Sequence, residues 1–249
     1  MTVTPENLAG LLKSAVDQHR SVTFIEAAGE ENRVEYAALY TRALGVLHHF
    51  QTQGISVGDE LILFTNSNEQ FVDAFWACIL GGIIPVPVAV GISDDHRAKL
   101  MQVFSTLRRP YLYTEQNLLL RLERYCQDQG SASDFSALRE KSLVVDAIEN
   151  VDTPGRQHEA SLDETAFIQF SSGSTSTPKG VVLTHRNVLT NIRAIREGFG
   201  AHRDDVGLSW MPLTHDMGLI GFHLSMVAGN HDHFIMNTAL FVRRPLLWL

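Results

Sequence analysis

The densest group of chemically useful side chains lies in residues 171–180, where hydroxyls, glycines and one lysine follow one another without a large apolar residue. Glycine lets a backbone approach a ligand closely, and successive N–H groups can form a concave nest for an anion. Serine and threonine add hydrogen-bond donors, and Lys179 adds a positive charge suited to a phosphate. The loop can therefore wrap an anion such as a phosphate group.

Two other interpretations of this loop fit the sequence less well. A flexible Ser/Gly linker is not usually placed between strands, whereas the apolar runs at 166–170 and 181–183 predict one strand on each side. A P-loop follows the pattern G-x-x-x-x-G-K-S/T and is followed by a helix. Here Pro178 replaces the second glycine, Gly180 replaces the final hydroxyl, and a strand is predicted to follow.

The same loop resembles the phosphate-binding signature of the adenylate-forming superfamily. This superfamily includes acyl-CoA synthetases, fatty acyl-AMP ligases and the adenylation domains of nonribosomal peptide synthetases. The family pattern is S/T-S-G-S/T-T-G-x-P-K-G, and the chain matches it except at Ser176, where glycine is usual. The resemblance implies that these residues bind the phosphates of ATP: Ser171, Ser172, Gly173, Ser174, Thr175, Ser176, Lys179 and Gly180.

A second group of polar side chains follows a strand predicted at residues 206–211. His215 and Asp216 stand beyond its end, directly before the apolar stretch 217–222. Chemistry alone favours a histidine paired with a neighbouring carboxylate that caps a helix starting near Gly218.

Residues 210–221 also resemble the acyl-pocket motif W-x-P-x-x-H-D-M-G-L-I-G of fatty acyl-AMP ligases. The resemblance implies that His215 orients the carboxylate that is activated, which makes it the catalytic candidate, and that residues 217–222 line an acyl channel. The implied substrate-binding residues are His215, Asp216, Met217 and Gly218. Amino-acid-activating relatives use an aspartate at the position of Asp216 for the substrate's ammonium group, but the residues after it differ from their usual pattern. A fatty acid is therefore expected, and an amino acid is the alternative.

The reaction that the resemblance implies is attack of a carboxylate on the α-phosphorus of ATP, with Mg²⁺ bridging the phosphates. Its products are an acyl-adenylate and pyrophosphate, and the family then passes the acyl group to CoA or to the phosphopantetheine arm of a carrier protein. Family members continue beyond the equivalent of Leu249, with further ATP-binding residues and a lid that carries a catalytic lysine. We therefore expect a truncated AMP-binding portion that is inactive alone; a non-catalytic docking module is the alternative.

Composition narrows the remaining classes. The 249 residues are 45% hydrophobic and 19% charged, as in an ordinary globular protein with a large core. A net charge of −8 without a lysine/arginine cluster argues against nucleic acid or an anionic membrane surface as a partner. Cys78 and Cys126 lack metal-ligand spacing and indicate free thiols in a reducing compartment. The apolar stretch 75–90 is broken by glycines and prolines, and residues 1–15 do not form a signal peptide, so a cytoplasmic protein without a membrane span is expected.

No residues are predicted to bind a metal ion directly. His231, Asp232 and His233 form a His-x-His pattern around an aspartate, but without further ligands an ordinary strand or turn is the better interpretation. His48 and His49 are neighbours on a predicted helix and point in different directions, so they cannot chelate together.

Strands and helices alternate along the chain, which predicts an α/β fold with doubly wound, mostly parallel sheets and helices on both faces. The resemblance assigns this fold to the N-terminal part of an adenylate-forming enzyme, with a first α/β region at 1–160 and a phosphate-loop and acyl-pocket region at 161–249. Predicted helices cover 5–20, 36–50, 69–80, 94–107, 117–129 and 185–199. Further strands are predicted at 22–26, near 34, and at 60–65, 84–90, 111–114 and 143–147, with loops at 131–141 and 149–161.

Overall fold

The structure is a computed structural model that describes residues 6–91, 93–148, 152–171, 178–202 and 204–248. The helices are α1 (Leu8–Ala15), α2 (Tyr36–Thr52), α3 (Asn68–Gly81), α4 (Asp94–Thr106), α5 (Gln116–Asp128), α6 (Ala132–Glu140), α7 (His185–Phe199), α8 (Ser225–Gly229) and α9 (Thr238–Arg243). The strands are β1 (Ser21–Ala27), β2 (Glu30–Glu35), β3 (Glu60–Phe64), β4 (Ile84–Pro87), β5 (Pro110–Thr114), β6 (Ser142–Val144), β7 (Thr165–Ser171), β8 (Lys179–Thr184), β9 (Gly207–Ser209) and β10 (His233–Met236). A π-helix, Met217–Leu224, lies between β9 and α8, and short 3₁₀ turns cover Val16–Gln18, Val145–Ala147 and Pro245–Trp248.

The first sheet joins the two ends of the chain. Its strand order is β2-β1-β10-β9, with β1, β10 and β9 parallel and β2 added antiparallel to β1 through a hairpin. Strands from residues 1–160 and from residues 161–249 therefore share one sheet.

The second sheet, in the order β4-β3-β5-β6, is wholly parallel. Its central strand β3 is buried along its whole length, as expected for a parallel strand covered on both faces. Side chains alternate along it: Leu61 and Leu63 enter the main core with α2 and α3, whereas Ile62 and Phe64 enter a second core with α4, α5 and α6. The predicted α/β fold with mostly parallel sheets and helices on both faces is confirmed.

Helix α3 forms the centre of the main core, and every residue from 71 to 81 in it is buried. A helix that is apolar almost all round is buried on all sides. The hydroxyl of Ser67 caps its first turn, and Gly82 ends it in the left-handed region at a φ of +67°. This end divides the apolar stretch 75–90 between α3 and β4. Within the described ranges no helix is long and apolar enough to cross a membrane.

Strands β7 and β8 form an antiparallel hairpin around the predicted anion loop, and β7 lies beside β4 at the edge of the second sheet. The two predicted strands and their order are confirmed. Loop residues 172–177 lie outside the described residues.

The loop predicted at residues 131–141 is wrong, because α6 occupies most of it. Phe135 and Leu138 are three residues apart and therefore share one helix face, and both are buried in the second core. Polar residues and two alanines fill the rest of the segment, so its apolar face is too narrow to stand out in the sequence. Four predicted strands are also shorter in the structure: β3 by one residue, and β4, β6 and β9 by two or more.

Candidate functional site

The phosphate-loop prediction can be placed through the two ends of its hairpin. Ser171, the last residue of β7, pairs with Lys179, the first residue of β8, and Phe170 pairs with Gly180. Lys179 and Gly180 are exposed. The candidates Ser172, Gly173, Ser174, Thr175 and Ser176 lie outside the described residues, so their phosphate-binding role stays a prediction.

A turn at residues 210–217, named here the His215 segment, follows strand β9. It begins at Trp210, whose indole stacks on Phe241 of α9 with 4.1 Å between ring centroids and 4° between ring planes. The hydroxyl of Thr238 donates a hydrogen bond of 2.8 Å to the carbonyl oxygen of Trp210. Helix α9 therefore fixes the point at which the segment leaves the sheet.

The side chain of Gln169 connects the two predicted motifs. Gln169 lies in β7, two residues before Ser171, and its amide donates a hydrogen bond of 3.2 Å to the carbonyl oxygen of Thr214. The end of β7 that leads into the anion loop is thus held beside the residue that precedes His215. Sequence reasoning missed Gln169, although a lone amide in the run Ala-Phe-Ile-Gln-Phe was a signal that one face of this strand has a polar partner.

His215 and Asp216 contact each other at the start of the π-helix. His215 Nδ1 lies 2.6 Å from Asp216 Oδ1, and the backbone N–H of Met217 donates to the same carboxylate oxygen at 2.8 Å. Asp216 is thus the N-cap of the π-helix, as the interpretation from chemistry alone predicted. The two side chains remain 61% and 63% exposed, so both can also contact a bound molecule.

Gly218 packs the π-helix tightly against the turn before it. A Cβ atom at this position would lie 2.2 Å from the carbonyl oxygen of Pro212 and 2.7 Å from that of Met211. Only glycine allows such a close backbone approach. Gly218 is buried, so the geometry supports a role in holding the His215 segment rather than direct exposure to a ligand.

The expectation that residues 217–222 together line a channel is corrected by their helical arrangement, which points successive side chains in different directions. Leu219 is 0% exposed and Ile220 8% exposed, and both pack in the main core. Met217 is 57% exposed, and a Cβ added at Gly221 would have no neighbour closer than 3.7 Å. Met217 and Gly221 therefore mark the accessible side of the π-helix, a rare element that often occurs at functional sites.

The His231–His233 segment has structural contacts of its own. Asp232 forms an ion pair with Arg20 at 2.9 Å and accepts a hydrogen bond from the backbone N–H of Ser21. Burial opposes the charge on Asp232, but the hydrogen bonds from Arg20 and Ser21 prevail and lower its pKa. His233 begins β10. No group of three or more His, Cys, Asp or Glu side chains in the described part of the chain could hold a metal ion.

Comparison with known proteins assigns these motifs to a family. A sequence model described as "AMP-binding enzyme" matches residues 12–248. A putative acyl-CoA synthetase of Caulobacter vibrioides is 33% identical over 218 residues, which cover 86% of this chain and 37% of that protein. The long-chain-fatty-acid–AMP ligase FadD32 of Mycobacterium marinum is 29% identical over 91% of this chain and 36% of its own length. The chain thus spans less than two fifths of either curated relative.

Solved structures give the same assignment. The McyG A-PCP structure, complexed with phenylalanyl-adenylate, superposes with a TM-score of 0.88 at 29% identity and covers 100% of this chain and 45% of that one. The adenylation domain of a keto acid-selecting nonribosomal peptide synthetase module superposes with a TM-score of 0.85 at 29% identity and covers 98% of this chain and 45% of that one. A fatty acid AMP ligase from Legionella pneumophila, at 23% identity and a TM-score of 0.84, shares the fold. The chain belongs to the AMP-binding enzyme family.

Proposed function

We propose that the protein containing this chain activates a carboxylic acid with ATP to form an acyl-adenylate and pyrophosphate. The observation that carries the proposal is the hydrogen bond from Gln169 to the backbone of Thr214. It joins the strand that enters the anion loop to the segment that presents His215, and these are the two groups that such a reaction must bring together. Positioning of the reactants supplies most of the rate enhancement in transfers to phosphorus.

The phosphate contacts belong to the loop and to Lys179. Backbone N–H groups and hydroxyls of the loop donate to phosphate oxygens, and the exposed Lys179 ammonium adds a positive charge. Mg²⁺ would arrive with ATP, because it is commonly held by substrate phosphates with few protein ligands. This proposal covers the residues predicted from the sequence: Ser171, Ser172, Gly173, Ser174, Thr175, Ser176, Lys179 and Gly180.

His215 holds the acid substrate at the mouth of the site. Nδ1 of His215 faces the Asp216 carboxylate and the backbone N–H of Met217, so Nε2 of the same exposed ring is the nitrogen that can donate to the substrate carboxylate. The carboxylate oxygen then forms a bond to the α-phosphorus, the bond from that phosphorus to pyrophosphate breaks, and no proton has to be transferred in the step.

The acid that we propose first is a fatty acid. Asp216 already accepts a hydrogen bond from Met217 and contacts His215, so its charge has partners without a substrate ammonium group. Among the relatives, the medium-chain-fatty-acid–[acyl-carrier-protein] ligase JamA of Moorena producens is 26% identical over 92% of this chain. Its name supports a carrier-protein thiol as the acceptor, and CoA is the other acceptor that the relatives' names suggest.

An amino acid is the second candidate substrate. The exposure of Asp216 leaves room for an ammonium group to contact it, and the McyG structure holds an aminoacyl-adenylate. The two candidates predict opposite effects for Asp216→Asn. A fatty acid carries its negative charge towards Asp216, so removal of the like charge should raise kcat/KM, whereas an amino acid would lose its counter-ion and kcat/KM should fall.

The test is ATP-dependent adenylate formation by the protein that contains this chain, with fatty acids, 2-oxo acids and amino acids offered separately. We expect fatty acids to be activated and free amino acids to be ignored. Lys179→Ala should lower kcat/KM for ATP by about 100-fold, the scale seen when one transition-state contact is removed, and Lys13→Ala on the surface of α1 is the control. An amino acid activated in preference to every fatty acid would establish the second candidate. Normal ATP use by the Lys179 variant would refute the phosphate site.

A further inference from the structure

Four buried side chains form a continuous series of hydrogen bonds between α3 and α2. Trp76 of α3, His223 of the π-helix, His233 of β10 and Tyr36 of α2 are each 0% exposed. Trp76 Nε1 lies 3.0 Å from His223 Nε2, His223 Nδ1 lies 2.9 Å from His233 Nε2, and His233 Nδ1 lies 3.0 Å from Tyr36 Oη. The Tyr36 hydroxyl donates to the carbonyl oxygen of His231 at 2.6 Å. We name these four side chains the buried hydrogen-bond chain.

The indole of Trp76 sets the donor-to-acceptor direction of every hydrogen bond in the buried hydrogen-bond chain. The indole N–H can only donate, so His223 Nε2 must accept and carry no proton. A neutral His223 then carries its proton on Nδ1 and donates it to His233 Nε2. By the same argument His233 carries its proton on Nδ1 and donates to Tyr36, which passes on its own proton as the donor to His231. Each ring nitrogen has one partner and each ring is the Nδ1–H tautomer.

A proton added to either histidine ring would place two N–H donors opposite each other and break a hydrogen bond. A second N–H on His223 would face the indole N–H of Trp76, and an N–H on His233 Nε2 would face the N–H of His223. Burial and the neighbouring histidine keep the pKa of His223 well below its usual value, and burial lowers the pKa of His233 to about 3. At the Tyr36 end, Asp232 and Arg20 are charged groups that act electrostatically on the Tyr36 hydroxyl.

The buried hydrogen-bond chain passes through the π-helix, which is the element that follows the proposed acid site. His223 lies in the π-helix that begins at Met217 and is capped by Asp216. The other buried side chains of this helix are apolar, and apolar packing is not directional. A hydrogen bond prefers an angle above about 150° and weakens steeply below about 120°. The two hydrogen bonds of His223 therefore define the rotation of the helix about its own axis more narrowly than the apolar contacts do.

We propose that the buried hydrogen-bond chain positions the π-helix, and with it Asp216 and Met217, for the carboxylic acid substrate. The inference deepens the proposed function and rests on it. His223, His233, Tyr36 and Trp76 are positioning residues that do not touch the substrate. Because the ATP-binding hairpin β7–β8 contributes none of these side chains, disruption of the chain should weaken use of the acid more than use of ATP.

The main variant is Tyr36→Phe, which keeps the ring and removes the acceptor for His233 Nδ1 and the donor for His231. The matched control is Leu138→Ala, which removes packing in the second core and touches no member of the chain. Both variants are expected to lower stability, so a general effect of destabilisation appears in both. His223→Asn is a second variant, in which the amide can still donate to His233 while the contact with Trp76 is lost.

Three measurements on the protein that contains this chain decide the proposal. In ¹⁵N spectra of the histidines, His223 and His233 should both be neutral Nδ1–H tautomers in the wild type. Hydrogen exchange of the Leu219 amide, which donates to the carbonyl of His215 at 2.9 Å, should speed up in Tyr36→Phe by more than the loss of global stability of that variant explains, and in Leu138→Ala by no more than its own loss of global stability explains. The KM for the acid should rise about five- to tenfold in Tyr36→Phe, the scale of one buried unsatisfied donor, while the KM for ATP stays near the wild-type value.

The outcomes separate this inference from the proposed function. An Nε2–H tautomer at either histidine, or equal exchange at Leu219 in wild type and Tyr36→Phe, would overturn the inference. An unchanged KM for the acid despite faster exchange would also overturn it, since the chain would then be merely structural. If no acid is adenylated at all, the proposed function fails, and the role in substrate positioning fails with it. The spectra and the exchange rates still show whether the buried hydrogen-bond chain holds the π-helix.

Discussion

Replacement of Gly218 by alanine tests whether close packing of the π-helix on the His215 segment holds this part of the fold. The added Cβ would lie 2.2 Å from the carbonyl oxygen of Pro212 and 2.7 Å from that of Met211. Both neighbours are backbone atoms, so neither can rotate away, and either the turn or the helix must shift. Gly221→Ala is the matched control in the same helix, because its Cβ would meet nothing closer than the sulfur of Met217 at 3.7 Å.

The difference in stability between the two variants isolates the cost of the overlap between the added Cβ and the backbone. Alanine in place of glycine favours a helix by about 0.5–1 kcal/mol at either position, and this gain cancels in the difference. Overpacking in a well-packed region costs roughly 1–3 kcal/mol, and an overlap with backbone belongs at the upper end of that range. Gly218→Ala should thus be less stable than Gly221→Ala by about 3 kcal/mol.

Urea denaturation of both variants, followed by circular dichroism, gives the two free energies of unfolding. For a domain of this size, each kcal/mol also lowers Tm by about 2–4 °C, so a thermal scan should separate the variants by roughly 6–12 °C. In the protein that contains this chain, Gly218→Ala should also weaken use of the acid substrate. The added Cβ would displace Pro212, and the turn that contains Pro212 also carries His215. Equal stability of the two variants would show that the segment relaxes freely and that the packing argument is wrong.

Three further predictions concern the scaffold. Asp73 is buried, and burial is the main reason that its pKa is raised to about 6. The folded state therefore binds this proton more tightly than the unfolded state, so the free energy of unfolding falls as pH rises from about 4 to 6. Urea titrations across this pH range should show a smaller fall for Asp73→Asn. Leu138→Ala should cost about 2–5 kcal/mol because Leu138 is fully buried, whereas exposed Ser136→Ala should change the free energy of unfolding by less than about 0.5 kcal/mol. The carboxylate of Glu26 accepts a hydrogen bond of 2.7 Å from the Asn68 N–H at the start of α3, so Glu26→Ala should cost about 1.5–3 kcal/mol of stability. Glu26→Gln keeps an acceptor oxygen and should cost less. Equal losses of stability in the two variants would show that this hydrogen bond is not the cause.

The sequence predicted best those elements whose ends carry their own signals. Helix α7 spans His185–Phe199 as predicted, because Thr184 and Asn187 form a capping box at its start and Gly200 adopts a positive φ at its end. The strands of the second sheet were found because continuous apolar runs between turn residues are typical of buried parallel strands. Capping residues and apolar runs are local signals, so they can be recognised in a single sequence.

What the sequence could not predict depends on contacts between distant residues. Gln169 and Thr214 are 45 positions apart, and nothing local in either segment specifies the other. The π-helix was expected as an ordinary helix, because a helical pattern of residues does not distinguish the two, and its own contacts are the close approach of Gly218 to Pro212 and the hydrogen bond from the Ser225 hydroxyl to the carbonyl of Ile220. The β1–β10 pairing, which links the two ends of the chain, is equally remote.

The histidines of the last third of the chain show why burial must be known before a role is assigned. His223 and His233 have no contact with solvent, have a hydrogen-bond partner on each ring nitrogen, and remain neutral because burial lowers the pKa of both. They can hold a helix in place, but they cannot reach a substrate. His215 differs in its exposure and in its neighbour: it is 61% exposed beside the carboxylate of Asp216, so its ring can contact a bound anion. The packing around each of these three histidines, and not its residue type, decides between a positioning role and direct contact with the acid of the proposed reaction.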